Sequence, residues 1–252
     1  MHALIELDDV GNRPVEHSAV SAIYLTETLS ELNEGAGFLD RLSLAEIREV
    51  RRVSVALAIE PGESAFMQGE PHKGIYLIES GRIKTYYTGP TGKEITLAYW
   101  PAGHFVGGPE VFGGGNHMWS AIAMQPSRLR YMPGPAIRAL VERIPAFAVG
   151  LIEGLVSKGK CYSALVQMLG TRSASERLAQ LLLILARLHG RPEGDSLVVD
   201  REITHDQLAH IIGSTRQWVT NTLTRFQRKG LITIRRNAIV IHRPELLTCD
   251  HP

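Results

Sequence analysis

Residues 203–232 read ITHDQLAHIIGSTRQWVTNTLTRFQRKGLI, two short helices joined by a tight turn. Thr204 and Gln207 have the spacing of a capping box, in which cap and N3 side chains each satisfy the other's backbone N–H. Leu208, Ile211 and Ile212 then share one helical face. Gly213 breaks the pattern where a helix-turn-helix needs its turn. The second helix restarts at Ser214 or Thr215, and Val219, Leu223 and Phe226 follow at core spacing. Arg216, Gln217, Thr220 and Asn221 fall on the other faces, near the end that enters a major groove in this motif.

The side-chain chemistry suits that position. An Arg guanidinium binds guanine O6 and N7 bidentately, and Gln or Asn can do the same for adenine N6 and N7. Thr220, Ser214 and Lys229 suit phosphates, which fix position without reading sequence, and Thr215 is a further candidate DNA contact. The competing reading is a helix pair whose polar residues are merely solvated. Charge supports the interface. The net charge is only +1, yet residues 171–243 hold 12 basic and 6 acidic side chains, while residues 1–170 hold 15 and 18. A basic C-terminal unit on a mildly acidic N-terminal one is the footprint expected of a nucleic-acid binder.

At 252 residues, 44% hydrophobic, the chain can build two cores. It has no apolar run of roughly 18 residues, so no membrane span is expected. The N-terminus MHALIELDDVGNRPVEHSAV lacks the pattern of a secretory signal. Cys161 and Cys249 are the two cysteines, far apart in sequence, which points to a reducing cytoplasm and against an iron–sulfur cluster or zinc finger. No nucleophile motif, P-loop, dinucleotide fingerprint or metal-spaced His/Glu pair argues for an enzyme, and Gly113-Gly114-Gly115 reads as a hairpin tip.

From Val53 to about Tyr131 the pattern changes to short strand-like runs: IYLIES, GRIKTYY, EITLAYW and SAIAM. Glycines fall between or beside them, as in a small sandwich or roll. Residues 38–52 read as a short amphipathic helix, and residues 1–30 carry no strong pattern and can be partly disordered. A short helix is expected from Pro135 to Arg143 and a long one from Ala146 to Leu169. Ala148, Ile152, Leu155, Gly159, Tyr162, Val166 and Leu169 alternate by four and three, the seam of a two-stranded coiled coil. Gly150, Gly154 and Gly159 each cost about 1 kcal/mol of helix propensity, so the helix depends on packing. Dimerisation through this seam is the preferred reading; a helix packed on the roll of its own chain is the alternative.

The order of roll, long helix and helix-turn-helix resembles the cyclic-AMP receptor protein/FNR (Crp-Fnr) family of bacterial transcription regulators. The resemblance spans roughly residues 38–243 and is strongest in residues 61–87 (PGESAFMQGEPHKGIYLIESGRIKTYY), residues 91–108 (TGKEITLAYWPAGHFVGG) and residues 203–232. It implies an α+β chain: an N-terminal extension (1–37), a jelly-roll-type effector-sensing β-roll (38–145), a dimerisation helix (146–170) and a winged helix-turn-helix (171–252). DSLVVD (195–200) and LITIRRNAIVIH (231–242) would supply the wing. It also implies a cytoplasmic homodimer on a palindromic operator, with double-stranded DNA and RNA polymerase as partners. The family begins its recognition helix Ser-Arg-Glu, with a second Arg four residues after the Glu. Here Thr215-Arg216-Gln217 and Asn221 stand instead. Arg216 is the base contact the resemblance favours. Gln217 opens adenine as a target or, if Ser214 is the N-cap, bonds back to that cap.

The resemblance also locates an effector pocket. Cyclic-AMP-binding members carry Gly-Glu-Leu and then Arg-Ser-Ala around the cyclic phosphate. Residues 104–123, HFVGGPEVFGGGNHMWSAIA, keep Gly107 but replace the next pair with Gly108-Pro109, and place Trp119 before Ser120 where the Arg belongs. Losing the guanidinium removes a charge-assisted contact to phosphate, so cyclic AMP is not the expected effector. Tyr162 and Ser163 match a Thr-Ser pair facing the nucleotide. Trp119 and Tyr162 make the pocket aromatic, suited to an apolar or aromatic ligand or filled by its own side chains. The oxygen-sensing branch uses an N-terminal cysteine cluster, and no cysteine precedes Cys161. A haem-based branch also exists. His72, His104 and His117 fall in the roll, with His117 nearest the pocket, although a loop histidine is the simpler reading of each. Cys161 reads as a small buried residue more readily than a redox switch.

Overall fold

The computed structural model describes residues 37–200 and 203–247. The expectation for residues 1–30 and the position of Cys249 lie outside them. Ser43 caps α1 (Leu44–Arg52) with a complete capping box to Glu46. Eight strands follow: β1 (Val55–Ile59), β2 (Ser64–Phe66), β3 (Gly74–Ser80), β4 (Arg82–Thr88), β5 (Glu94–Pro101), β6 (Phe105–Val106), β7 (Ser120–Ala123) and β8 (Ser127–Pro133). They form two antiparallel four-stranded sheets, ordered β1-β8-β3-β6 and β2-β7-β4-β5. Ile78, Val106 and Leu129 from the first meet Phe66, Ile83, Ala98, Trp100 and Ala121 from the second in one core. Along β3 the alternation turns Tyr76 and Ile78 to this core and Ile75 and Leu77 to the opposite face, which is covered as well.

Two helices follow the roll: α2 (Gly134–Arg143) and α3 (Pro145–Thr171). Phe147 and Leu151 of α3 join Phe38, Val50, Ile75, Leu77, Phe105, Met132 and Ile137 in a second core. The glycines of α3 divide by role. A Cβ on Gly154 would sit 2.4 Å from the Phe105 ring and one on Gly150 would sit 3.1 Å from the Phe38 carbonyl, whereas Gly159 faces open space. Two of the three therefore serve the approach of α3 to its own roll.

The same helix departs from the expected seam. Val149, Ile152, Val156 and Val166 are exposed, as are Gly159 and Ser163. Leu155 packs on the second core, Tyr162 on the first, and Ala148 is half-buried. Leu169 leans on Gly213. The exposed stripe thus keeps Ile152, Gly159 and Val166 but runs through Val149, Val156 and Ser163. The roll claims Leu155 and Tyr162 because they sit one position round the helix, on its inner side.

The C-terminal unit opens with α4 (Ala174–His189), which the sequence reading passed over. Ser173 and Glu176 form its capping box, and Leu178, Leu181, Leu182, Ile184 and Leu185 give its core. β9 (Arg191–Glu193) and β10 (Ser196–Asp200) lead to α5 (His205–Ile212) and α6 (Arg216–Arg228). The chain closes with β11 (Ile232–Ile234), β12 (Ala238–Ile241) and α7 (Pro244–Leu247). The sheet order β11-β12-β10-β9 is a wing, antiparallel throughout.

Candidate nucleic-acid interface

The helix pair is built as its sequence dictates. Thr204 accepts from Gln207 N, and Gln207 Oε1 accepts from Thr204 N at 2.8 Å. Leu208, Ile211 and Ile212 are buried. Gly213 ends α5 at φ 66, ψ 43, a left-handed conformation that a Cβ disfavours. Thr215 is the N-cap of α6 and its hydroxyl accepts from Trp218 N. Ser214 is therefore not the cap, and Gln217 is not held in a capping box. Val219, Leu223 and Phe226 are fully buried, and Arg216, Gln217, Thr220 and Asn221 are exposed together with Thr215 and Lys229; Ser214 is half-buried.

Thr220 is more committed than a free phosphate ligand would be. Its hydroxyl donates to Arg216 O at 3.0 Å and meets His205 Nδ1 at 2.9 Å. This bond ties the first turn of α5 to the second turn of α6. Beside it, Ile203, Thr204, His205, Asp206 and Arg216 line an open cleft of about 510 Å³. The wing adds cations that the motif did not single out. The β11–β12 turn carries Arg235 and Arg236, both exposed. Arg235 is spent on Glu193, with both terminal guanidinium nitrogens bonded at 3.0 and 2.7 Å, whereas Arg236 is exposed at the tip. The visible signal was the dipeptide in LITIRRNAIVIH, at the hairpin of a wing.

The residues expected around an effector are brought only partly together. Trp119 and Tyr162 meet edge to face, ring centroids 5.6 Å apart, and Tyr162 also meets Trp100 at 6.5 Å. Trp119 and Tyr162 thus pack on the core of the roll. Gly107 lies against Ile75, and Gly108 N donates to His72 Nε2 at 3.0 Å. Ser120 is buried and accepts from Gln68 N. Ser163 is exposed on the outer side of α3, away from the others.

His117 is buried and stacked on Phe66 at 3.8 Å, with His72 edge-on at 4.5 Å. Burial lowers the His117 pKa to about 4, with the neighbouring His72 adding to the effect, so the ring is neutral at physiological pH. A neutral imidazole can ligate iron through an in-plane nitrogen, and here the ring is buried against Phe66 and His72. Among the described residues no three of His, Cys, Asp and Glu come together as a metal site. Cys161 is buried and its thiol is pushed up to about 12 by burial, so it holds no reactive thiolate. No helix among the described residues is long and apolar enough to cross a membrane.

Comparison with known proteins agrees with this architecture. Residues 56–144 match the cyclic nucleotide-binding domain and residues 176–249 the Crp-like helix-turn-helix domain. The global nitrogen regulator of Synechococcus elongatus is 30% identical over 81% of this chain and 95% of that protein. The CRP-like cAMP-activated global transcriptional regulator of Mycobacterium tuberculosis is 25% identical over 87% and 98%. Among solved structures, the c-di-GMP-responsive global regulator CLP of Xanthomonas campestris matches the fold with a TM-score of 0.70 at 17% identity, covering 79% of this chain and 99% of that one. These relatives are transcription regulators rather than enzymes. With its β-roll, long helix and winged helix-turn-helix, the chain belongs to the Crp-Fnr family of DNA-binding transcription regulators.

Proposed function

We propose that the protein acts as a homodimer on a palindromic operator, its half-sites about one helical turn apart. The exposed first two turns of α6 carry this reading. Arg216, Gln217 and Asn221 stand clear of the core there, and the opposite face is anchored by Val219, Leu223 and Phe226. Arg216 reads a guanine, and Gln217 and Asn221 favour adenine. Ser214, Thr215, Lys229 and Arg236 hold phosphates, and Thr220 keeps α6 on α5. Two copies meet through the exposed stripe of Val149, Ile152, Val156 and Val166, where Gly159 allows the helices to approach. DNA and RNA polymerase are the macromolecular partners, in the cytoplasm.

The input acts at the roll near Trp119 and Tyr162, without Ser163, which faces outward, and is not cyclic AMP. Trp119 stands where the phosphate-binding Arg of the resemblance belongs, and its contact with Tyr162 fills the space by self-packing. Any input works only by binding the DNA-competent arrangement better than the other. Selection from a random DNA pool by ligand-free protein tests the reading. A two-fold symmetric site is expected. Arg216→Ala should cost about 1–3 kcal/mol and relax one base position in each half-site. A variant that still matches the parent on operator and scrambled DNA would remove Arg216 from the interface and the reading with it.

A further inference from the structure

The turn of the helix-turn-helix is held by the β-roll. The tip of the β4–β5 hairpin, residues 89–93, reaches the C-terminus of α5, where Lys93 Nζ donates to Gly213 O at 2.9 Å. One residue on, Glu94 lies 3.5 Å from His210 of α5 and 3.7 Å from Lys84 of its own sheet. Further down β5, Tyr99 is 8% exposed and is part of the core of the C-terminal unit, with Met124 packed against the same core. Leu169, near the end of α3, closes on Gly213 from another side.

The chemistry of this contact is that of a helix cap supplied from another part of the chain. The last carbonyls of a helix are short of donors and carry the negative end of its dipole. α5 has only eight residues and uses Gly213 N and Ser214 N to satisfy Ala209 O. The carbonyl of Gly213 lies beyond these bonds, at the bend that sets the direction of α6. Lys93 takes that carbonyl with an ammonium. Arg216, Gln217 and Asn221 stay exposed while the contact is made.

We infer that Lys93 is a positioning residue for DNA recognition, through which the β4–β5 hairpin of the roll sets the direction of the recognition helix. The inference rests on the reading of α6 as the base-reading element. A dimer must present two recognition helices at one spacing, and an untethered C-terminal unit populates that spacing only part of the time. Apparent affinity falls in proportion to the competent fraction. A roll that shifts its hairpin thereby shifts the turn, so this is also a route by which an input at the roll reaches DNA.

The test compares Lys93→Met, which keeps the stem without the donor, and Lys93→Arg, which restores one. Lys93 is exposed, so both variants are expected to fold. Hydrogen exchange on the DNA-free protein is read first. In Lys93→Met, amides of residues 209–216 should exchange faster, at an unchanged thermal midpoint, and Lys93→Arg should recover. Operator affinity of Lys93→Met should then fall roughly 3- to 10-fold, the size of one net hydrogen bond at an exposed position. Affinity for scrambled DNA and the salt slope should be unchanged. A direct phosphate contact would lower the slope and weaken both DNAs alike, which would overturn the inference. Unchanged exchange, or unchanged or tighter operator binding, would also overturn it. If the parent protein selects no operator, the base-reading assignment fails, while the exchange measurement still decides whether Lys93 holds the turn.

Discussion

Lys158 brings an ammonium into the interior with no carboxylate paired to it among the described residues. Its Nζ donates to Phe105 O and lies 3.6 Å from the centre of the Trp100 ring and 4.6 Å from that of Phe105. Those ring faces and one carbonyl replace only part of what water supplied. Burial brings its pKa down from 10.5 to about 7. Because the folded value is depressed, the group costs nothing above 10.5, and stability falls as pH drops from there to about 7. The cost is then constant. Lys158→Met should therefore stabilise the protein by ~1–4 kcal/mol at pH 7 and below, with the gain shrinking toward pH 10. Urea unfolding of both proteins at several pH values checks this, and a gain that does not vary with pH would refute it. Nothing in the sequence around Lys158 announced its burial, because a lysine in a helix reads as solvated. The reading of Arg216 as exposed needed only the positions of Val219, Leu223 and Phe226. The cap was harder: Ser214 and Thr215 are chemically equivalent there, and the choice between them decided what Gln217 can bond.

At the scale of elements, α3 serves two neighbours at once. Its inner side carries Leu151, Leu155 and Tyr162 into the roll, while Val149, Ile152, Val156 and Val166 remain outside. Ile152→Glu with Val156→Glu places carboxylates only on the outer stripe. The pair should yield a folded monomer by sedimentation and abolish operator selection, whereas Leu155→Glu should lower the melting temperature instead. A doubly substituted protein that stays dimeric would move the interface elsewhere. A four-three alternation was legible in the sequence, but two overlapping sets satisfied it, and only the roll's claim on Leu155 and Tyr162 separates them. Strands β3, β4, β5 and β7 were legible as apolar runs beside glycines. β8, SRLRYMP, does not stand out as an apolar run; its signal is the period-two alternation of Arg128 and Arg130 with apolar positions, over too short a stretch to be picked out. α4 escaped because its continuous LLLILA has no helical periodicity to read: Leu181, Leu182, Leu183 and Ile184 are buried all round.

For the molecule as a whole, acid should be a specific hazard. Burial lowers the pKa of His104 and of His117 to about 4, and that of His72 in the same direction. For His104 and His117 stability is complete above about 6.5 and is lost as pH falls toward 4, because the unfolded state binds protons that the folded state refuses; His72 contributes in the same direction. The thermal midpoint should fall steeply between those limits, and His117→Phe should flatten part of the fall; a flat profile from pH 7 to 4 would refute it. This window is distinct from that of Lys158. The burial of Tyr99 in the C-terminal core has one more consequence, for how the chain comes apart. A side chain belonging to one unit completes the interior of the other, so neither can melt and leave its neighbour intact. Scanning calorimetry should record one cooperative transition whose calorimetric and van't Hoff enthalpies agree, and Tyr99→Ala should split it into two.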